Sequence, residues 1–322
     1  MRRPDTHDRS RSPAACVAEL LYLRHIVAEP LNLKRLLPAG EPASAAEIVA
    51  GFGLDALAAS GSSTGGRERP YVMLNMVSTL DGQTTLDGRS GGLSGPADRE
   101  LFHALRLAVD AVMAGAGTVR AERYGRIVAD AARRRLRVER GLCEEPLACI
   151  VSGRLALQGS EVPLLAEPAA RVAILTPSSA SLPAGVAAAK VDYIRAARDG
   201  QLDLAAALAE LQARFGVRTL LCEGGPRLNA QLLGAGLVDE LFLSLSPLLA
   251  GGDFDGNPAH PNPAHPEALR ILAGPSRSPP VALELRGVLE HDSGLFLRYG
   301  VRSSAPAERV SRETMPSSSL AR

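Results

Sequence analysis

The sequence predicts an α/β protein: a mainly parallel sheet with helices on both faces and an antiparallel hairpin at the C-terminal end. Short apolar strand patterns alternate with helical patterns through the middle of the chain, which is typical of parallel strands joined by helices. Near the end, residues 281–290 and 295–299 are strand-like and flank the turn sequence HDSG, which indicates a hairpin. This hairpin predicts an antiparallel edge on the parallel sheet.

Each predicted element has a local signal. Short runs of apolar and β-branched residues predict strands at residues 71–77, 110–114, 147–152, 172–176, 218–222 and 240–245. Apolar residues at helical spacing predict helices at residues 96–108, 202–215 and 226–233. Two of these helices begin with proline, a residue that suits the first helical position. The chain is therefore predicted to be a series of strand–helix units.

The ends of the chain differ in composition from its middle. Both termini are polar and rich in proline, serine or arginine, which predicts disordered tails. Behind the first tail, apolar residues at 17–37 and 45–57 predict short helices, and a glycine- and serine-rich linker follows. The predicted divisions are a tail at 1–15, a helical extension with its linker at 16–69, one principal domain at 70–300 and a tail at 301–322.

Composition and charge argue against several functional classes. The formal net charge is +1, aromatic residues make up 3% of the chain and tryptophan is absent, which disfavours nucleic-acid binding. No apolar run approaches the roughly 20 residues that span a bilayer, so we expect no membrane segment. The four cysteines form no CxxC pair and no disulfide-dense pattern, and the simplest interpretation is a reducing, cytoplasmic setting.

One local repeat carries histidine. The sequence NPAHP occurs twice in succession and places His260 and His265 five residues apart in a proline-rich segment. This pair could bind a metal ion, but duplication within an exposed loop explains it equally well. No other histidine or cysteine spacing is typical of a metal site, so we predict no metal.

Three glycine-containing junctions are candidates for a ligand site. The first is STLDG at residues 78–82, directly after the first strand of the principal domain. The second is GAGT at residues 115–118, and the third is EGGP at residues 223–226. Open α/β sheets bind ligands beyond the carboxyl ends of their strands, where these junctions lie. Asp81 in the first junction could hold a ligand or simply form part of a turn.

The second and third junctions favour a phosphate ligand. Glycines let the backbone approach a ligand closely, and the Thr118 hydroxyl can donate a hydrogen bond. Pro226 at a helix start leaves free N–H groups that suit a pyrophosphate. Arg106, late in the helix at residues 96–108, could form a surface salt bridge or clamp a sugar phosphate.

Several motifs in a fixed order resemble a known family. They are NxxSxLDG at residues 75–82, SGP at 94–96 with LR in the next helix, DAVxAGAGTV at 110–119, CEGGPxLN at 222–229, then LVDEL and SPLLAGG. Together they resemble the reductase domain of the bifunctional riboflavin-biosynthesis deaminase-reductase and the stand-alone diaminopyrimidine reductases. The resemblance covers about residues 70–300 and implies a dihydrofolate-reductase-like fold.

The resemblance also implies a function. The family uses NADPH to reduce the ribosyl group of a ribosylamino-pyrimidine 5′-phosphate to a ribityl chain, and it implies a homodimer. The implied substrate contacts are Ser90, Arg106 and Glu223, with Arg106 a partner for the 5′-phosphate. The implied cofactor contacts are Ser78, Gly115, Gly117, Thr118, Glu122, Ser152, Gly224, Gly225, Pro226, Arg227, Leu228 and Asn229. Asp81 is the candidate catalytic residue for polarising or protonating the reacting centre.

Two departures from the family pattern limit this interpretation. Residues 120–126 read RAERYGR where the family commonly has an acidic pair and a PxLT stretch, although Glu122 keeps the charge of the usual aspartate. The heterocycle that is reduced therefore stays open. Reduction of another pyrimidine or pteridine-like ring, or NADPH binding without catalysis, are the alternatives. The HxE and PCxxC motifs of the zinc deaminase are missing, so we expect no deamination.

Overall fold

One eleven-stranded sheet organises the computed structural model, which describes residues 31–60, 68–251, 270–274 and 279–302. The strands are β1 (Asn32–Leu37), β2 (Ala39–Ser44), β3 (Tyr71–Thr79), β4 (Ala111–Gly115), β5 (Leu147–Val151), β6 (Arg171–Thr176), β7 (Lys190–Arg195), β8 (Ala197–Arg198), β9 (Gln201–Leu202), β10 (Thr219–Cys222), β11 (Glu240–Ser246), β12 (Leu283–His291) and β13 (Gly294–Val301). The helices are α1 (Ala45–Ala50), α2 (Leu54–Ala59), α3 (Pro96–Ala108), α4 (Ala116–Ala121), α5 (Ala131–Glu139), α6 (Leu204–Phe215) and α7 (Pro226–Gly234), with a 3-10 turn at Pro163–Ala166.

The strand order separates a parallel half from an antiparallel half. It runs β2-β1-β12-β13-β11-β3-β10-β4-β5-β6-β7, while β8 and β9 form a small ribbon of their own. The strands from β11 to β7 are parallel to their neighbours, and β13, β12, β1 and β2 are added antiparallel to theirs. The predicted mainly parallel sheet with a C-terminal antiparallel hairpin is confirmed.

Two apolar cores cover the two faces of the sheet. Along β3, Met73 packs into one core with α1 and α3, whereas Val72 and Leu74 pack into the other with α6 and α7. A parallel strand buried on both faces needs apolar residues at nearly every position, which explains its YVML sequence. Helices lie on both faces, as predicted. Within the described ranges, every helix falls short of the length and apolarity that crossing a membrane requires.

The N-terminal extension corrects one prediction. A helix was expected over residues 17–37, but Asn32–Leu37 is a strand that pairs antiparallel with β12 and forms a hairpin with β2. Residues 17–30 of that expected helix lie outside the described residues. The unpaired edge of β12 supplies backbone partners, and Leu33 becomes fully buried in the core. Tertiary pairing therefore outweighs the helical spacing of the leucines.

The second half of the extension is helical. Residues 45–57 were predicted as one short helix and form two, α1 and α2, separated by Gly53 with a φ of 63°. Ser44 caps α1 through a reciprocal capping box with Glu47. The extension thus joins the main sheet and its core. The predicted tail at 1–15, residues 303–322 of the other tail, and most of the linker at 61–67 lie outside the described residues.

Candidate functional site

The three glycine-containing junctions lie side by side at one edge of the sheet. Strand β10 is hydrogen-bonded to β3 on one side and to β4 on the other, and all three run parallel. Their carboxyl ends therefore meet. The Gly115 N–H donates to the Gly224 carbonyl at 2.8 Å, and the Glu223 N–H donates to the Met113 carbonyl at 2.9 Å, so the β4 and β10 junctions are directly joined.

A cavity of about 870 Å³ opens beyond these strand ends. Its walls come from the β3 strand, the loop before α3, the inner side of α3, the β4–α4 junction and the start of α7. The predicted site residues in its lining are Ser90, Arg106, Gly115, Gly117, Thr118, Glu122, Glu223, Gly225, Pro226, Arg227 and Leu228. The predicted residues outside the lining are Ser78, Asp81, Ser152, Gly224 and Asn229.

One wall of the cavity is a glycine cradle, formed by Gly115, Gly117 and Thr118 and by residues 225–228. A Cβ atom at Gly225 would lie 2.6 Å from the Thr118 hydroxyl, so only glycine fits that close approach. A Cβ at Gly117 would meet nothing within 4 Å. Helix α7 has no side-chain cap, and its first intrahelical bond runs from the Asn229 N–H to the Gly225 carbonyl at 3.0 Å.

This cradle has the donors that a pyrophosphate requires. The N–H groups of Arg227 and Leu228 lie in the uncapped first turn of α7, where the helix dipole favours an anion. The exposed Arg227 side chain adds a positive charge at the same wall. The residues present therefore fit the phosphates of a dinucleotide.

The cavity is also lined by a partly buried polar cluster, which consists of Arg106, Glu223 and Tyr124. The Arg106 guanidinium donates from Nε and Nη2 to the two Glu223 carboxylate oxygens, each at 2.7 Å. The Tyr124 hydroxyl donates to Glu223 Oε2 at 2.6 Å. Arg106 Nη1 also donates to the Ile127 carbonyl at 2.9 Å, and the Phe102 ring lies 4.1 Å from the guanidinium. The side chains of Arg106 and Glu223 are only 11% and 3% exposed.

The protonation states of this cluster follow from its burial and its charges. Burial alone lowers the pKa of Arg106, but attraction to the Glu223 carboxylate outweighs it and raises the net pKa. Burial raises the pKa of Tyr124, and the neighbouring Glu223 charge raises it further. Arg106 therefore stays charged, and Tyr124 keeps the proton that it donates. Burial lowers the pKa of His103 in the same cavity, with the charges of Arg133 and Arg106 acting in the same direction.

Glu122 connects the cavity to the loop before α3. Its carboxylate accepts a hydrogen bond from the Ser90 N–H at 2.7 Å, which ties that loop to the end of α4. The structure thus brings a predicted substrate residue and a predicted cofactor residue into direct contact. Both line the cavity, so their predicted ligand contacts stay predictions.

Asp81 lies outside this constellation. Its carboxylate accepts hydrogen bonds from the Thr79 hydroxyl and from the N–H groups of Ala250, at 3.1 Å, and Gly251, at 2.7 Å. These hydrogen bonds lower the pKa of Asp81, and the bond from the Thr79 hydroxyl has the largest effect. An ionised carboxylate with these partners holds residues 250 and 251 in place. Its role in polarising or protonating the reacting centre stays a prediction.

Three other predicted residues are buried beside the cavity. Ser78 is at the end of β3 and is 2% exposed. The Ser152 hydroxyl accepts from the Leu155 N–H at 3.1 Å. Asn229 donates from Nδ2 to the Ile271 carbonyl at 3.0 Å. None of these three residues is in the cavity lining, so their predicted cofactor contacts stay predictions.

Sequence reasoning did not single out Tyr124 or Phe102. Phe102 lies at an ordinary position on a helix face, and nothing in its surroundings along the chain distinguishes it. Tyr124 lies in the segment at 120–126, where the sequence departs from the family pattern. That departure was the one available signal.

Comparison with known proteins decides the family. Residues 70–274 match the family model described as the RibD C-terminal domain. The chain belongs to this family. It is 32% identical over 194 residues to the 2,5-diamino-6-ribosylamino-4(3H)-pyrimidinone 5′-phosphate reductase of Archaeoglobus fulgidus, covering 57% of this chain and 83% of that protein. It is also 32% identical over 185 residues to the Methanothermobacter thermautotrophicus protein of the same name, covering 57% and 81%.

Solved structures agree on the fold of this RibD C-terminal domain protein. A pyrimidine reductase-like protein from Corynebacterium diphtheriae superposes with a TM-score of 0.58 at 24% identity, covering 73% of this chain and 92% of that one. The riboflavin biosynthesis reductase Rib7 of Saccharomyces cerevisiae gives a TM-score of 0.51 at 17% identity, covering 80% and 98%. The resemblance and the dihydrofolate-reductase-like fold are therefore confirmed.

Proposed function

We propose that this protein is an NADPH-dependent oxidoreductase that reduces the ribosyl group of a ribosylamino-pyrimidine 5′-phosphate to a ribityl chain. The observation that carries this proposal is one cavity with two chemically different walls, a glycine cradle and the Arg106–Glu223–Tyr124 cluster. A hydride transfer needs such a site, because a dinucleotide and a polar sugar must be held against each other. The names of the two curated relatives agree with this reaction.

The glycine cradle would hold the cofactor. Gly115, Gly117 and Thr118 would face it from one side and the start of α7 from the other, with the pyrophosphate on the N–H groups of Arg227 and Leu228. Bound NADPH supplies the hydride. We assign the discrimination of NADPH from NADH to Ser152 and Arg154, because both follow β5, the strand next to β4, and Arg154 is exposed.

The polar cluster would face the substrate. Three of the five N–H groups of Arg106 already donate to protein acceptors, which leaves two for a substrate phosphate. The exposed side chains of Arg99 and Arg123 also line the cavity and make no ion pair within the described ranges. We therefore assign the 5′-phosphate to Arg106 together with these two arginines. Ser90 and Glu223 would contact the sugar or the ring.

Catalysis in this proposal depends mainly on position. Glu223 is held rigidly and accepts a hydrogen bond from the substrate, and the closed walls orient the sugar for hydride delivery. Asp81 would act at a distance, by fixing residues 248–251 beside the end of β3.

A second substrate class is favoured by one observation. Arg120, Arg123 and Arg126 all line the cavity in the segment that departs from the family pattern. Arg126 is paired with Glu145, whereas Arg120 and Arg123 make no ion pair within the described ranges. These two charges on the wall suit a more acidic pyrimidine or pteridine-like ring. This alternative keeps the cofactor and the hydride chemistry.

The test is the loss of NADPH absorbance with 5-amino-6-ribosylaminouracil 5′-phosphate and, in parallel, its 2,5-diamino counterpart. Turnover of either supports the proposal and identifies the preferred ring. NADPH binding without turnover of either would move the function to another heterocycle or to a non-catalytic NADPH-binding protein.

We also propose a cytoplasmic homodimer. Leu243, Leu245, Leu295 and Leu297 share one face of β11 and β13 and belong to neither apolar core of the described residues. A second copy of this face would cover them. Light scattering on the eluting protein should give about twice the chain mass of 33.7 kDa, and Leu297→Glu should give the monomer mass. A monomeric wild type would contradict the proposal. The free thiols of Cys143, Cys149 and Cys222 suit a reducing compartment.

A further inference from the structure

Tyr124 combines two properties that no other residue of the cavity has among those described. It lies in the segment at 120–126, where this chain departs from the family pattern. Its hydroxyl group also donates directly to Glu223, the carboxylate at the end of β10. A residue of the departing segment thus contacts the group that we place against the substrate.

Counting acceptor positions shows what this contact does. A carboxylate has about four acceptor positions on its two oxygens. Glu223 Oε1 accepts from Arg106 Nε, and Oε2 accepts from both Arg106 Nη2 and the Tyr124 hydroxyl. Oε2 is therefore saturated, and Oε1 keeps one position. Glu223 lines the cavity, so this open position is the one that a donor on a bound molecule would use.

We propose that Tyr124 is a positioning residue: with Arg106 it fixes Glu223 so that a single acceptor position on Oε1 receives a hydroxyl or amino donor of the pyrimidine substrate. This inference rests on the proposed function and adds a determinant of substrate orientation to it. Without the Tyr124 hydroxyl, Oε2 regains an open position, and the substrate donor can bond to either oxygen. The orientation of the sugar is then less sharply defined.

The surroundings of Tyr124 keep its hydroxyl in this role. Burial and the Glu223 charge raise the pKa of Tyr124, so it stays a donor at neutral pH. Its ring centroid lies 5.4 Å from the Arg106 guanidinium, and the Phe102 ring lies 4.1 Å from the same group. Tyr124→Phe keeps the ring beside the guanidinium and removes only the hydroxyl.

Tyr193 offers a matched control. Its hydroxyl also makes one hydrogen bond, from the Leu182 N–H at 2.8 Å, and its ring lies 4.4 Å from the Arg195 guanidinium. It lies on β7 and does not line the cavity. Tyr193→Phe therefore tests the loss of a phenol hydrogen bond beside an arginine without touching the site.

The experiment measures steady-state kinetics with the two pyrimidine phosphates, and NADPH affinity by fluorescence titration. In Tyr124→Phe, kcat/KM for the pyrimidine should fall by about tenfold to a hundredfold, as expected for a lost hydrogen bond to a charged group. The Kd for NADPH should stay within about twofold, since the cradle is untouched. Tyr193→Phe should leave both quantities unchanged.

A double-mutant cycle with Glu223→Gln separates positioning from general support. If Tyr124 acts through the carboxylate, Tyr124→Phe in the Glu223→Gln background should change kcat/KM by less than about twofold. Additive effects, or wild-type kinetics in Tyr124→Phe alone, would overturn the role of Tyr124 and leave the proposed function standing. If wild-type protein turned over neither pyrimidine, the proposed function would fall together with this inference.

Discussion

The junctions after β3 and β10 have similar sequences, but their carboxylates have different roles. Each follows a strand of the same parallel pair, and each carries a carboxylate beside glycine, Asp81 with Gly82 and Glu223 with Gly224. Asp81 accepts its hydrogen bonds from Thr79 and from the backbone of residues 250–251, and it lies outside the cavity lining. Glu223 is buried in the cavity wall and is held by charged and phenolic side chains.

The difference lies in the chemical kind of the hydrogen-bond partners. Thr79 is two residues from Asp81, and the other donors are backbone groups, so this carboxylate fastens a loop. Arg106 and Tyr124 are far from Glu223 in sequence and lie on or beside two other helices, so this carboxylate joins separate elements around a ligand space. The partners of Asp81 at residues 250 and 251 are just as distant in sequence, but they are backbone groups, whereas charged and phenolic side chains hold Glu223 in the cavity wall.

The largest effect should come from removing Glu223. Glu223→Ala leaves the Arg106 guanidinium buried without its counter-charge, and we expect a loss of about 3–5 kcal/mol in the free energy of unfolding. Urea denaturation measures it, with the exposed Glu284→Ala as the control. Replacing both partners, as Arg106→Met with Glu223→Leu, should restore much of the stability but no turnover. A loss of less than about 1 kcal/mol in the free energy of unfolding of Glu223→Ala would show that the Arg106–Glu223 ion pair contributes no more than an exposed salt bridge.

An intermediate effect is expected at Gly225, two residues after Glu223. Gly225→Ala places a methyl group against the Thr118 hydroxyl, and repacking the cradle should weaken NADPH binding by about tenfold or more. Gly95→Ala is a close match, because Gly95 also precedes a helix that starts with proline, and a Cβ there meets nothing within 4 Å. Equal NADPH affinity in the two variants would contradict the assignment of the glycine cradle to the cofactor.

The smallest effect is expected at the other junction. Asp81→Asn should retain most of the turnover, because Asp81 fastens a loop in this account, whereas an essential proton donor would lose it. The Glu223 and Asp81 variants are therefore expected to differ in kcat: Glu223→Ala abolishes turnover, whereas Asp81→Asn retains most of it. Near-complete loss of turnover in Asp81→Asn, with an unchanged fold, would return Asp81 to the catalytic role.

The loop contact of Asp81 should also depend on pH. The hydrogen bonds lower the folded-state pKa of Asp81 below its ordinary value of 3.8, so the contact stabilises the loop above that pH and weakens as the pH falls through the folded-state pKa. The protection factors of the Ala250 and Gly251 amides, which correct for the slower intrinsic exchange in acid, should therefore fall on acidification below about pH 4. In Asp81→Asn the acid-dependent step should be missing.

The sequence was sufficient for the parallel half of the sheet except its edge strand β7, and for the strand ends around which the cavity lies. Strands β3, β4 and β10 are short apolar runs bounded by glycine, and parallel strands must end at a common edge. Of the residues that the motif series singled out, Gly115, Gly117, Thr118 and residues 225–228 line the cavity, and their cofactor contacts stay predictions. These features depend on local composition and on the rule that parallel strands end at a common edge of the sheet. Both can be inferred from the order of residues along the chain.

The remaining features depend on distant contacts. Residues 32–37 have leucines at helical spacing, and only the open edge of β12 turns them into a strand. The exposed edge strand β7 has an alternating, polar sequence, and it was missed for that reason. The bond from Tyr124 to Glu223 spans 99 residues, and no spacing rule connects them. Sequence patterns therefore located the site but not the partners that shape it.

The most direct measurement of the central claim follows the hydride itself. The protein is incubated with the preferred pyrimidine phosphate and with NADPH that carries deuterium at nicotinamide C4. Separate reactions use NADPH labelled on each face of the ring, and mass spectrometry measures the mass of the product. The account predicts that one of the two labelled forms gives a ribityl product with a single deuterium at C1′. A reduced product without deuterium from either form, or no reduced product at all, would contradict it.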